Sequence, residues 1–191
     1  TTQIGASITE PGVIQHTGTM AKLTYGAPDG RGSARLQALD AVLQDTARRT
    51  GGFEAALSPD IRLDIWRKFS FLAPFAGLTA RHRSPIGPLR QAAETRQELA
   101  RLVAETVAVG RAAGVGLSDH REAEVLSFVD GLPGEMKSSL LHDLDAGKPL
   151  ELDWLTGAVL RLGARHGVAT EASRMIYDAL KAYKEGTSDV A

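Results

Sequence analysis

From Ser58-Pro59-Asp60 onward, apolar residues recur three and four positions apart in run after run, and glycine or proline punctuates the runs. That spacing gathers side chains on one face of an α-helix, so the stretch can hide its apolar surface only as packed helices. Ile61, Ile65, Lys68, Leu72 and Ala76 share one such face, and Pro74 is predicted to kink that helix. Pro88 suits a first helical position, and Leu89, Ala92, Leu99, Leu102, Val103 and Val107 predict one long stripe ending at Gly114. Asp119 with Glu122 resembles a capping box ahead of Val125, Leu126 and Val129. Met136, Leu140, Leu141 and Leu144 predict a further helix ended by Gly147. Leu152, Leu155, Val159 and Leu162 predict the next, closed by Gly167, and Thr170 caps a last one carrying Met175, Ile176, Ala179 and Leu180.

Residues 1–58 follow another pattern. Gln3 to Thr9 alternates around Ile4 and Ile8, Pro11-Gly12 turns the chain, and Ala21 to Tyr25 resumes a short strand. Ser33 can cap a helix with Leu36, Leu39, Leu43 and Ala47 on one face, stopped by Gly51-Gly52, and Phe53 to Leu57 reads as a strand. A few strands and one helix cannot cover both faces of a sheet, so this segment is expected to complete a sheet that begins upstream. The initial Thr1 fits a cut from a longer protein. The expected architecture is mainly α: a helical domain over 59–185, a small α/β segment over 1–58 before it, and a loose tail over 186–191.

Composition narrows the function. With 191 residues the chain can form a core without disulfides or metal. The absence of cysteine removes thiol catalysis and Cys-ligated zinc. Its 22 basic and 23 acidic side chains nearly cancel, which gives no global attraction to nucleic acid or acidic membranes. No apolar run is long enough for a transmembrane helix, and a cytoplasmic location is expected.

Few residues stand out as chemistry. Lys68 lies on an apolar stripe, where its stem can cover apolar surface while the head reaches water, or where it can act as a partly buried acid or anion binder. Glu151 enters a helix, a place where carboxylates are common. Ser138-Ser139 falls inside a helical pattern, where serines usually bond back to the backbone. His16, His82, His120, His142 and His166 have no metal-ligand spacing, and no G-x-S-x-G elbow is present. Gly26, Gly30 and Gly32 run G-x-x-x-G-x-G, which reads as a connecting loop and not as the G-x-G-x-x-G fingerprint. Arg81, His82, Arg83 and Arg90 form a basic cluster, either a solvated helix end or an anion site.

Taken together, DIRLDIWRKF (Asp60 to Phe69), GLTAR (Gly77 to Arg81), the turn SPIG and the block SSLLHDLDAGKPLELDWLTGAVLRLGARHGV (Ser138 to Val168) resemble the ketopantoate reductase family. SITEPGVIQHTG (Ser7 to Gly18) resembles the last strands of that family's nucleotide-binding domain. The resemblance implies a reductase with a fold like 6-phosphogluconate dehydrogenase. A Rossmann domain binds NADPH, and an all-helical C-terminal domain closes over a 2-oxo acid, by default 2-dehydropantoate in pantothenate biosynthesis. Only the second domain is expected whole here, so the main cofactor site would lie upstream and the chain alone would be inactive.

The resemblance also assigns roles. The catalytic lysine falls on Lys68, the substrate-contacting serine on Ser139 and the partner glutamate on Glu151. Lys68 would stabilise charge on the ketone oxygen and supply the proton, Glu151 would keep Lys68 charged, and Ser139 would hold the substrate carboxylate. Where well-matched members carry asparagines, this chain has Leu72 and Ala76, and also Ile86 and Met136. Such a site would favour a less hydroxylated 2-oxo acid. The implied partner is that small molecule, with a homodimer open through the long helix spanning Leu89 to Val107, which as a module could also act without catalysis.

Overall fold

The computed structural model describes residues 1–186. The tail expected over 186–191 lies outside them except for Gly186, whose N–H donates to the Tyr183 carbonyl at 3.0 Å. The chain divides into two compact units, Thr1–Ile65 and Trp66–Ala191.

In the first unit, β1 (Thr2–Glu10) and β2 (Val13–Tyr25) form an antiparallel hairpin, and β3 (Glu54–Leu57) pairs in parallel with the end of β2. The hairpin turns at Pro11-Gly12, with Gly12 at φ +82°, a conformation that side chains disfavour. β2 is longer than the Ala21–Tyr25 strand read from its apolar residues. Pairing with β1 carries extended backbone back through Gln15 and His16, whose polar side chains give no alternating signal.

A parallel neighbour requires a crossover, and α1 (Ala34–Thr50) supplies it between β2 and β3. Ser33 caps this helix as expected, its Oγ accepting the Leu36 N–H at 3.1 Å, and Gly51 ends it in the left-handed region. The Tyr25 hydroxyl donates to Asp40 at 2.6 Å, and Gln44 donates to the Ala55 carbonyl at 2.9 Å, so α1 is fastened to the sheet. Even so, no residue of α1 is buried, and Ile8, Ile14 and Val42 stand exposed. Among the described residues this unit leaves apolar surface uncovered, as its small element count predicts.

The rest is helical: α2 (Ile61–His82), α3 (Ile86–Gln91), α4 (Ala93–Ala112), α5 (Arg121–Asp130), α6 (Ser139–Asp145), α7 (Thr156–His166) and α8 (Glu171–Leu180). Short 3-10 turns cover Glu151–Asp153 and Lys181–Tyr183. The core is built from Leu78, Ile86, Leu99, Val103, Val107, Leu140, Leu141, Leu152 and Ile176, each at most 1% exposed. Hiding a side chain of this kind contributes about 1.5–3 kcal/mol before entropy is charged against it. No helix among the described residues is long and apolar enough to cross a membrane.

Several boundaries differ from the sequence reading, each for a tertiary reason. The single helix expected from Pro88 to Gly114 is two, because Ala92 is extended at ψ 128°. Thr95 donates to the Leu89 and Ala92 carbonyls there, and Arg90 donates to the Val129 and Leu132 carbonyls at 2.8 and 2.6 Å, tying α3 to the end of α5. The apolar stripe of α4 is buried inside its own unit. The capping box at Asp119 and Glu122 does not form, since α5 starts behind His120 without a side-chain cap. Thr170 stands at the N-cap of α8 but makes no capping bond; Glu105 of α4 caps that helix instead. Pro74 lies within α2 without ending it.

Candidate functional site

Lys68 sits on α2, partly buried, and is not without a partner. The face it shares is not uniformly buried. Ile65, one turn earlier, is 48% exposed, Leu72 is partly exposed, and Ala76 is wholly buried. Of the apolar positions that the resemblance places around substrate, Ala76 and Ile86 are therefore enclosed in the core, while Leu72 and Met136 reach the surface. Phe71, adjacent to both Lys68 and Leu72 on the helix, stacks on buried Phe75 with ring centres 5.2 Å apart. It also makes a T-shaped contact with Phe128, ring centres 4.9 Å apart, and Phe128 is 55% exposed.

Ser138 and Ser139 do not lie mid-helix. They open α6: Ser138 is the N-cap, its Oγ accepting the Leu141 N–H at 3.1 Å, and Ser139 is the first helical residue. Ser138 is buried and shares a 2.7 Å hydrogen bond with fully buried Thr79 of α2, whereas Ser139 is exposed. The Ser-Ser pair thus divides into an anchor and a surface hydroxyl.

Glu151 opens a 3-10 turn and is exposed. Its carbonyl accepts the Trp154 and Leu155 N–H groups, while its carboxylate makes no hydrogen bond or ion pair with a described residue. The Lys68–Glu151 pairing implied by the resemblance is not made in this conformation. Two residues on, Asp153 accepts the Tyr177 hydroxyl at 2.7 Å and faces the Lys184 ammonium at 2.7 Å. The hydrogen bond from Lys184, and then that from Tyr177, hold the Asp153 carboxyl below its usual range.

The basic cluster is structural. Arg81 and His82 both bind the carboxylate of buried Glu98, the histidine at 2.8 Å. Arg90 is spent on carbonyls, and Arg83 lies over the Tyr183 ring at 5.2 Å. Glu98 and Glu105 went unread in the sequence. Their seven-residue separation along an otherwise apolar helix face was the available signal.

The loop from Gly26 to Gly32 does not fit a dinucleotide. A Cβ at Gly26 would meet the Ser58 carbonyl oxygen at 2.8 Å, so this glycine serves backbone packing. The residues present do not form the pyrophosphate cradle of a nicotinamide cofactor.

A small α/β segment is followed by a helical domain in which two buried hydroxyls join the helix carrying Lys68 to the one opened by Ser139. The family profile "Ketopantoate reductase PanE/ApbA C terminal" matches residues 60–184, and the chain belongs to this family. It is 28% identical over 181 residues to the uncharacterized oxidoreductase YkpB of Bacillus subtilis, covering 95% of this chain and 58% of that protein. It is 35% identical over 140 residues to the 2-dehydropantoate 2-reductase of Mycobacterium tuberculosis, covering 72% and 46%. The solved 2-dehydropantoate 2-reductase of Geobacter metallireducens is similar at 26% identity and a TM-score of 0.81, over 95% of this chain and 59% of that one. The chain spans about half the length of the curated relatives it matches.

Proposed function

We propose that this chain is the substrate-domain part of an NADPH-dependent, cytoplasmic 2-oxo-acid reductase, with 2-dehydropantoate as the default substrate. The observation that carries the reading is the placement of Lys68: a partly buried ammonium on a helix that is bonded, through Thr79, to the start of the helix presenting Ser139. As a ketone becomes an alkoxide, negative charge grows on its oxygen. An ammonium at that point stabilises the charge and hands over a proton, and partial burial strengthens the effect by removing competing water. Glu151, exposed at the start of its 3-10 turn, is available to offset the cost of holding Lys68 charged once substrate excludes water. Ser139, exposed at the first position of α6, is available to donate to the substrate carboxylate. Cofactor binding is assigned to a nucleotide-binding domain outside this chain, so the chain alone is expected to be inactive.

A second reading concerns substrate. Leu72 lies one helical turn from Lys68, and the half-exposed Phe128 packs on the neighbouring Phe71, so the side chains around this part of α2 are apolar. Such side chains cannot satisfy the hydroxyl of pantoate, and they favour a 2-oxo acid with an apolar side chain. Turnover of the complete protein with NADPH across a panel of 2-oxo acids tests both readings. Reduction of 2-dehydropantoate best of all supports the default, a preference for apolar oxo acids supports the second, and no turnover on any of them overturns both.

A further inference from the structure

Thr79 lies eleven residues, three helical turns, beyond Lys68, so the two fall on nearly the same side of α2. Its hydroxyl is completely buried and is placed 2.8 Å from the Phe75 carbonyl and 2.7 Å from the Ser138 Oγ. Ser138 is itself 3% exposed, and its Oγ also accepts the Leu141 N–H. Each hydroxyl has one proton to give. If Thr79 gave its proton to Ser138, the Ser138 proton would be left buried without an acceptor among the described residues. The assignment that satisfies every group runs the other way. Leu141 N–H donates to Ser138, Ser138 O–H donates to Thr79, and Thr79 O–H donates to the Phe75 carbonyl one turn back along α2.

This relay is the one buried polar link among the described hydrogen bonds between the helix carrying Lys68 and the helix opened by Ser139. We propose that Thr79 is a positioning residue: through the Ser138 cap it fixes where Ser139 stands relative to Lys68, and so sets how tightly the substrate carboxylate is held. The proposal rests on the oxo-acid reading above. Apolar contacts alone would let the first turn of α6 shift or rotate, because they are non-directional. A buried hydroxyl relay has one geometry that satisfies all its members, and any other leaves a donor unpaired. Ser139 follows the cap directly and takes its backbone position from it.

The test is made in the complete enzyme. Thr79→Val keeps the shape of the side chain but strands the Ser138 proton, and is expected to raise KM for the oxo acid about tenfold while kcat falls by less than about threefold. KM for NADPH should stay unchanged. Thr79→Ser keeps the relay and is expected to restore the wild-type KM, which a purely space-filling role for Thr79 would not require. If Thr79→Val fails to fold, Ser138→Ala removes the same link from the other side and should show the same split between KM and kcat. Active wild-type enzyme with an unmoved oxo-acid KM in these variants, or a Thr79→Ser variant as impaired as Thr79→Val, overturns the positioning role alone. A wild-type enzyme that reduces no 2-oxo acid overturns the functional reading beneath it.

Discussion

Glu105 of α4 closes the N-terminus of α8. One carboxylate oxygen accepts the Ala172 N–H at 2.6 Å, and the other accepts the N–H and the hydroxyl of Ser173 at 2.8 and 2.7 Å. A helix leaves its first N–H groups unpaired, and a carboxylate there satisfies them while meeting the positive end of the helix dipole. Glu105→Ala should therefore cost about 2–3 kcal/mol in urea unfolding, more than an ordinary cap, because three bonds are lost together. Glu105→Gln should retain part of that stability. A loss in Glu105→Ala no larger than for an exposed surface glutamate would contradict the assignment.

Glu98 sits between Arg81 and His82 with its side chain 9% exposed. Its two partners are each 30% exposed and can regain water when the carboxylate is removed, so Glu98→Ala is expected to lower stability by about 1–3 kcal/mol. Replacing His82 by Gln should cost much less, since Arg81 still covers the carboxylate. Equilibrium denaturation of both variants checks the order.

Most of the helical architecture was legible because its signals are local. Ser33, Gly51 and Gly167 cap where their chemistry says they should, and the apolar spacing from Ile61 to Leu180 finds the helices. What was not legible depends on partners distant in the chain. The break at Ala92, the cap supplied by Glu105 and the division of labour between Ser138 and Ser139 each come from a residue on another element. For the site, periodicity singled out Lys68 as an oddity, but nothing local linked it to residues 71 and 83 positions away. Only the family resemblance did, and it could not say that Ala76 and Ile86 are enclosed.

The Asp153–Tyr177–Lys184 cluster should shape stability against pH. The Asp153 carboxyl is depressed chiefly by its hydrogen bond to Lys184, so its contribution is present above the ordinary carboxylate range and is lost as pH falls through the depressed value. Hydrogen bonding to Asp153 raises Tyr177 and Lys184, so their contributions are complete below their ordinary values and are lost as pH rises through the raised ones. Thermal melts of wild type and Asp153→Asn should differ most near neutrality and converge in strong acid and strong alkali. A gap that stays constant with pH would contradict the network.

Gly87 donates its N–H to the Gly134 carbonyl at 2.8 Å, and a Cβ on Gly87 would stand 2.8 Å from that same oxygen. Neither backbone can give way without breaking the bond that places the segment leading to Ser138. Gly87→Ala is expected to cost about 1–3 kcal/mol in stability. Calorimetry that finds Gly87→Ala as stable as wild type would show that the two segments separate easily.

Lys68→Met in the complete enzyme is the sharpest test of the account, because it keeps the bulk of the side chain and removes only the charge and the proton. The expected result is a fall in kcat for 2-oxo-acid reduction of at least about a hundredfold, with NADPH binding and the melting temperature close to wild type. Undiminished kcat in this variant would show that the Lys68 ammonium takes no part in the reduction.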